Sequence, residues 1–274
     1  MTRLAPKSRK EQAMALLDRA DRNGVAQLVM TSPENLNALS DAMLAALQES
    51  LDEIGEDETI RAVTLAGTGK AFCAGHDLKE MQVARQAEDA GAAYFADLFT
   101  RCTKLMQTIQ AIPQPVIAQV HGVAAAAGCQ LVATCDMALA AEGTRFGVNG
   151  VNIGLFCSTP MVALTRNVPR KRAFEMLTTG RLIETNEAVE IGLINRATPA
   201  DDLAAATTDL AETVAGKLAS AVRVGKAAFY EQAQLPTEAA YAHTGDVMVR
   251  NMLDRDTDEG IAAFLEKRKP DWAG

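Results

Sequence analysis

The chain predicts an α/β protein whose last third is helical. Three observations carry this reading: strand, helix and strand in succession between Val25 and Ala66, small-residue turns around Gly75 and Ala126, and the loss of strand patterning after Thr185. Strand and helix alternating in this way form a βαβ unit, which requires a parallel sheet. Residues 1–22 are charged and weakly patterned, and read as an extension before the fold. Asp21-Arg22-Asn23-Gly24 signals a turn, and Val25 to Thr31 a strand. Ser40-Asp41 caps a helix that reaches about Gly55, with Met43, Leu44, Leu47, Leu51 and Ile54 on one face. Ile60 to Ala66 is a short β-rich run of the buried parallel kind. Residues 79–111 are charged and Ala-rich, with Gly91 as the breaker, and predict one or two helices over a mobile linker. Val116 to Val120 reads as a strand, Ala124 to Ala133 as a small-residue helix, and Met137 to Ala140 as a further strand. Asn186 to Ile191, Ala200 to Gly216, Ala219 to Gln232, Thr237 to Leu253 and Thr257 to Lys267 read as helices. The expected division is therefore a sheet-containing core over 23–200 and a helical region over 201–274.

With 274 residues, 48% of them hydrophobic, the chain can bury an enzyme-sized core. A net charge of -8 disfavours nucleic acid and anionic membrane as partners, because both attract positive surfaces. The five cysteines are an odd number without CxxC spacing and sit in apolar or small-residue segments, which suits reduced thiols. They and the three histidines show no metal-ligand spacing. No apolar run reaches the roughly 20 residues of a membrane span. The basic start lacks the apolar core of a secretory signal. Arg3, Lys7, Arg9, Lys10 and Arg19 suit a mitochondrial presequence, but Glu11 and Asp18 oppose it, so a cytoplasmic protein is expected.

Two segments carry the chemistry. Ala71-Phe72-Cys73-Ala74-Gly75-His76-Asp77-Leu78 is followed at Gly122 by Val-Ala-Ala-Ala-Ala-Gly-Cys-Gln, so two small-residue turns can aim backbone amides at one point. Backbone N–H groups at a tight turn and at a helix N-terminus stabilise negative charge on a carbonyl oxygen without an ionisable side chain. In this order and spacing the two segments resemble the enoyl-CoA hydratase/isomerase family, the crotonase superfamily. Colinear matches extend the likeness over nearly the whole chain. They run from Ser32-Pro33-Glu34-Asn35-Leu36-Asn37-Ala38-Leu39-Ser40 through Thr144-Arg145-Phe146-Gly147 and Gly192-Leu193-Ile194 to Glu259-Gly260-Ile261 near the end.

The resemblance implies a crotonase-like spiral of ββα and βαβ turns followed by a C-terminal helical region, in homotrimers or dimers of trimers. It implies an acyl-CoA or enoyl-CoA thioester as the ligand, with no separate cofactor, since coenzyme A is part of the substrate. The oxyanion donors would be the backbone N–H groups of His76 and Ala127. Relatives usually have Gly-Gly-Gly-Cys where this chain has Ala126-Ala127-Gly128-Cys129; alanine keeps the amide but adopts a positive φ poorly. Ala74, Asp77, Leu78 and the C-terminal Lys267 would contact the coenzyme A portion.

Hydratases of the family use two glutamates, and the matching positions hold Gln130 and Gly150. An amide does not accept a proton at neutral pH and glycine has no group to offer. Ser158 falls where some relatives that are not hydratases carry a catalytic aspartate, and Cys157 beside it is either a nucleophile or a buried cysteine before a helix cap. The His76 side chain is either a general acid or a bystander to its own amide. Asp77 reads as a turn cap, and His121 as a structural histidine. Ordinary hydration is expected to be weak or absent. The alternatives are a non-catalytic acyl-CoA-binding protein, or another thioester reaction such as decarboxylation or hydrolysis.

Overall fold

In the computed structural model, which describes residues 16–272, a six-stranded sheet runs in the order β1-β2-β3-β4-β6-β9. Its strands are β1 (Leu17–Arg22), β2 (Val25–Met30), β3 (Ala62–Gly67), β4 (Val116–Val120), β6 (Met137–Ala141) and β9 (Arg196–Thr198). All neighbours pair in parallel except β1 and β2. That pair is a hairpin in which Arg22 faces Val25 across Asn23 and Gly24, both at positive φ, the turn that Asn-Gly favours. The expected extension is thus corrected at its end. Residues 17–22 belong to the sheet, while residues 1–15 lie outside the described residues. Only Leu17 of β1 is buried, so this charged edge strand has no apolar alternation to read.

The sheet is covered on both faces. Val25, Ala62, Ile117 and Leu139 pack with Leu203, Ala211 and Ala215 of one helix. Leu28, Val63, Leu65 and Val116 pack in the larger core with Met43, Leu47, Leu105 and Ile109 of two others. The helices are α1 (Asp41–Glu56), α2 (Leu78–Ala84), α3 (Ala92–Ala111), α4 (Ala127–Thr134), α5 (Ser158–Asn167), α6 (Arg170–Thr179), α7 (Thr185–Glu190), α8 (Leu203–Ala215), α9 (Ala219–Gln232), α10 (Thr237–Met252) and α11 (Arg255–Glu266). Ser40 caps α1 as expected, its hydroxyl accepting from the Met43 N–H at 3.2 Å. The run 79–111 yields two helices. Between them Asp89 accepts from the N–H groups of Gly91 and Ala93 at the start of α3.

A second sheet of three strands, β5 (Val123–Ala125), β7 (Arg145–Gly147) and β8 (Ile183–Glu184), stands beside the first. It corrects the helix expected over 124–133. The chain is extended to Ala125, turns at Ala126 with φ 48° and ψ -117°, and only then becomes helical. The small residues here serve close packing rather than helix propensity: a Cβ on Gly128 would fall 2.1 Å from the Cys73 carbonyl oxygen. The expectation that strands end before Thr185 is also corrected, because β9 adds a parallel edge at Leu139 and Arg196. With three residues it is too short to show a periodicity.

The C-terminal region is helical as expected, and a buried cation joins it to the core. Lys226 of α9 donates to the carbonyls of Ile109 and Gln114, at 2.7 and 2.9 Å, and to Asp136 at 2.7 Å. Tyr230 donates to the same carboxylate at 2.8 Å. Beyond this anchor α10 has no buried residue and exposes Tyr241 (77%), while Leu253 and Phe264 further on are each 82% exposed.

Candidate active site

The segment 71–77 is held by the residues just before α1. Asn37 is fully buried; its Nδ2 donates to the carbonyls of Thr68 and Ala71, both at 2.8 Å, while its Oδ1 accepts from the Ser32 N–H at 3.0 Å. The Ala74 N–H donates to the Leu36 carbonyl at 3.1 Å and the Leu39 N–H to the Gly75 carbonyl at 2.8 Å. Asn35 donates to Asp77, whose other oxygen accepts from Lys79 N–H at 2.8 Å, so this carboxylate caps α2 as its turn position suggested. In this arrangement it holds the loop, and it does not line the cavity described below.

The second turn is locked by Ala126 N–H donating to the Gly147 carbonyl at 2.8 Å and by Ala125 N–H donating to Cys73 at 3.0 Å. The two turns touch. A Cβ on Gly75, which sits at φ +97°, would lie 3.0 Å from the Ala126 methyl and 3.2 Å from the Ala127 nitrogen, so glycine is required at 75. The positive φ foreseen for the alanine pair falls on Ala126, in a region that L-residues adopt with strain. Ala127 is the first residue of α4. Among the described residues neither the His76 nor the Ala127 N–H has an acceptor.

His76 and Ala127 both line a cavity of about 320 Å³. Its walls come from Ala74 and the exposed Leu78 of the first loop, Met81, Phe99, the segment 149–157 and the start of α5. Sequence reasoning missed Met81, Phe99 and most of 149–157, which lie on two helices and around a 3-10 turn with no motif; Gly150 and Cys157 were the signals there. The cavity's lining includes no Asp or Glu among the described residues; its titratable side chains are His76 and Cys157.

The His76 ring packs edge-on to Phe99 with centroids 5.7 Å apart, and Nδ1 lies 3.4 Å from the Leu39 carbonyl, an acceptor. Burial pushes its pKa down, opposed by that carbonyl contact and assisted by Arg101, so the imidazole is neutral near pH 7. Its Nε2 is enclosed and without a partner, and so out of reach of solvent. Burial pushes the Cys157 thiol up, with the Gly150 backbone opposing, which disfavours a thiolate. Ser158 lines the cavity with an exposed hydroxyl, 3.4 Å from the Phe156 carbonyl.

The remaining expected residues fall partly at this cavity and partly away from it. Gln130, 5% exposed, is three residues into α4 beyond Ala127 and lines a separate cavity between α3 and α5. Gly150 is at the main cavity, but a Cβ there would stand 2.3 Å from the Leu155 carbonyl oxygen. Lys267 ends α11 at φ 57° and is not part of the cavity wall, and its neighbour Arg268 is paired with Glu259 and Glu266. His121 donates through Nε2 to the Gly69 carbonyl at 2.9 Å, the structural role expected.

A parallel sheet with a side sheet carries two touching turns, with unpartnered amides among the described residues, beside an apolar cavity suited to a small ligand. Residues 20–274 match the family model described as enoyl-CoA hydratase/isomerase, and the chain belongs to that family. It is 44% identical to human enoyl-CoA hydratase domain-containing protein 3, mitochondrial, over 251 residues, covering 92% of this chain and 81% of the relative. The crystal structure of a Mycobacterium smegmatis enoyl-CoA hydratase superposes with a TM-score of 0.90 at 50% identity, covering 94% of this chain and 99% of that one. The human domain-containing protein 3 structure superposes with a TM-score of 0.89 at 42% identity, covering 94% and 100%. The human, mouse and Xenopus laevis relatives are named as mitochondrial proteins, which overturns the cytoplasmic expectation. Buried reduced thiols do not separate cytosol from other reducing compartments.

Proposed function

We propose that this chain binds an acyl-CoA or enoyl-CoA thioester with its carbonyl oxygen between the His76 and Ala127 N–H groups, and stabilises an enolate there. The observation that carries this reading is the pair of unpartnered amides on turns held in contact at one apolar cavity. Donors held in advance, away from water, contribute most where charge develops. Coenzyme A would enter past Ala74 and Leu78, with Lys267 as a phosphate contact supplied within an oligomer; no separate cofactor is required. Ser158 is one of the polar side chains of the cavity's lining, with Asn149, Asn152 and Thr159.

Ordinary hydration is weak or absent in this reading. Each missing acid/base group costs roughly 10²- to 10⁴-fold in rate, and the cavity's described lining supplies no carboxylate in their place. The same observation favours a second reading, an acyl-CoA-binding protein without turnover. Decarboxylation and thioester hydrolysis stay within the first. The exposed apolar residues of α10 and α11 support a homotrimer or a dimer of trimers, which light scattering tests; a monomer contradicts it.

The test is crotonyl-CoA hydration beside calorimetric titration with a saturated acyl-CoA. Tight binding with slow or no hydration is expected. Fast hydration refutes the assignment of Gln130 and Gly150, and failure to bind refutes the oxyanion site. Turnover of another thioester that Ser158→Ala abolishes excludes the binding-only reading.

A further inference from the structure

The lining of the main cavity is divided in its chemistry. The part supplied by the first loop, α2, α3 and the second turn has His76 as its one polar side chain, and the free ring nitrogen of that residue is enclosed. Every other polar side chain stands on the segment 149–160, as Asn149, Asn152, Ser158 and Thr159 beside the Cys157 thiol. Two of these already have a neighbour. Asn152 donates to the Gly180 carbonyl at 3.2 Å, and the Ser158 hydroxyl lies 3.4 Å from the Phe156 carbonyl. Asn149 and Thr159 are half-buried, and neither side chain has a hydrogen bond among the described residues. The chain ties Asn149 to the second turn: the Gly147 carbonyl, two residues before it, accepts from the Ala126 N–H at 2.8 Å, one residue before Ala127. A side-chain amide and a hydroxyl are therefore idle at the cavity that His76 and Ala127 line, and both can donate to an oxygen.

We propose that Asn149 and Thr159 hold a second oxygen of the ligand, the 3-oxo group of a 3-oxoacyl-CoA, and that this ligand binds as its enolate. The proposal rests on the thioester reading above. Two features select the class. An alkyl group would cover the two side chains without replacing the hydrogen bonds they make to water, whereas an oxygen on C3 accepts from both. The described lining also holds no Asp or Glu to take the C2 proton of an ordinary thioester. A 3-oxoacyl thioester needs none. Its C2–H bond breaks in solution, the proton passes to bulk water, and the electron pair spreads over the thioester and ketone oxygens, so a fraction of the free ligand is already enolate. The His76 and Ala127 N–H groups take the first oxygen, and Asn149 Nδ2 with the Thr159 hydroxyl takes the second. Four donors then share one negative charge. A 3-hydroxy group fits the same place but carries no part of that charge.

Calorimetric titration of the full chain with acetoacetyl-CoA, 3-hydroxybutyryl-CoA and butyryl-CoA, whose acyl groups have equal carbon counts, tests this beside the near-ultraviolet absorbance of the enolate over a pH series. Acetoacetyl-CoA is expected to bind roughly tenfold tighter than butyryl-CoA or more, the range of hydrogen bonds to a charged oxygen, and its enolate band to form at lower pH when bound than when free. Asn149→Leu is expected to reduce that preference and to raise the pH of half-formation by about one unit, the equivalent of a tenfold loss, with Asn149→Gln between the two. Circular dichroism establishes that the variants are folded; should Asn149→Leu not fold, Thr159→Val is expected to displace the band in the same direction. Butyryl-CoA or 3-hydroxybutyryl-CoA binding as tightly as acetoacetyl-CoA overturns the 3-oxo assignment and leaves the oxyanion reading standing. A band that forms at the same pH with and without the substitution likewise overturns it, since the two main-chain donors would then account for the enolate alone. If none of the three thioesters binds, the oxyanion reading fails and this inference with it.

Discussion

Replacing Ala126 by glycine tests the turn that presents the second amide. Ala126 holds φ 48° and ψ -117° because its N–H is bonded to Gly147 while the next residue starts α4. A non-glycine residue in such a region costs about 1–3 kcal/mol. Glycine removes that strain but returns roughly 0.5–1 kcal/mol through its freer unfolded chain. It also gives up one methyl's contact beside Gly75, worth about 0.8 kcal/mol when fully buried; Ala126 is only partly buried, so less applies here. The balance is a stabilisation of about 0.5–1 kcal/mol, or roughly 1–4 °C in Tm for a chain of this size. Scanning calorimetry measures the shift, and acyl-CoA titration should find affinity unchanged or higher, since the Ala127 amide stays in place. A loss of stability above about 1 kcal/mol would refute the reasoning, for it would mean the methyl packs more than the backbone strains.

Two further outcomes are expected. Lys226→Met removes the cation that α9 lays on Asp136 and two carbonyls, and breaking a buried pair costs about 3–5 kcal/mol, so the denaturation midpoint should fall sharply while Lys217→Met on the surface does not move it. Glu259 is drawn down to about 2 by the Arg268 guanidinium and then by the Asp271 N–H. Its contribution to holding residues 268–272 is therefore complete above its ordinary value of 4.5 and lost as pH falls from there through about 2. Trp272, the single tryptophan, rests against Gly260 and reports this by fluorescence. Glu259→Gln should give the shifted emission already at neutral pH, and unchanged emission would count against the clamp.

The parts of the fold legible in the sequence are those where one periodicity rules a long segment. Helix α1, with its cap and its apolar face from Met43 to Ile54, reads directly, and so do β2, β3, β4 and β6. β1, β5, β7, β8 and β9 escape because edge and side-sheet strands of two to six residues either lack a buried stripe or end before a period forms. At the site, the two turns were legible because glycine is demanded by contact, at Gly75 and Gly128. The separation of Gln130 from the main cavity was not, since it depends on the direction in which α4 leaves its turn. Nor was the role of the buried Asn37, two of whose three side-chain hydrogen bonds reach segments more than thirty residues away.

Both proposed donors at the site belong to the main chain, held by Asn37, by Gly75 against Ala126, and by the Gly147 carbonyl. Every amino acid except proline carries that donor, so the electrophilic half of the chemistry survives nearly any substitution at the two positions that supply it. Heredity of the scaffold and heredity of the reaction are thereby uncoupled. A lineage can exchange every side chain facing the thioester, glutamates included, and still inherit a place where a carbonyl is drawn toward its enolate.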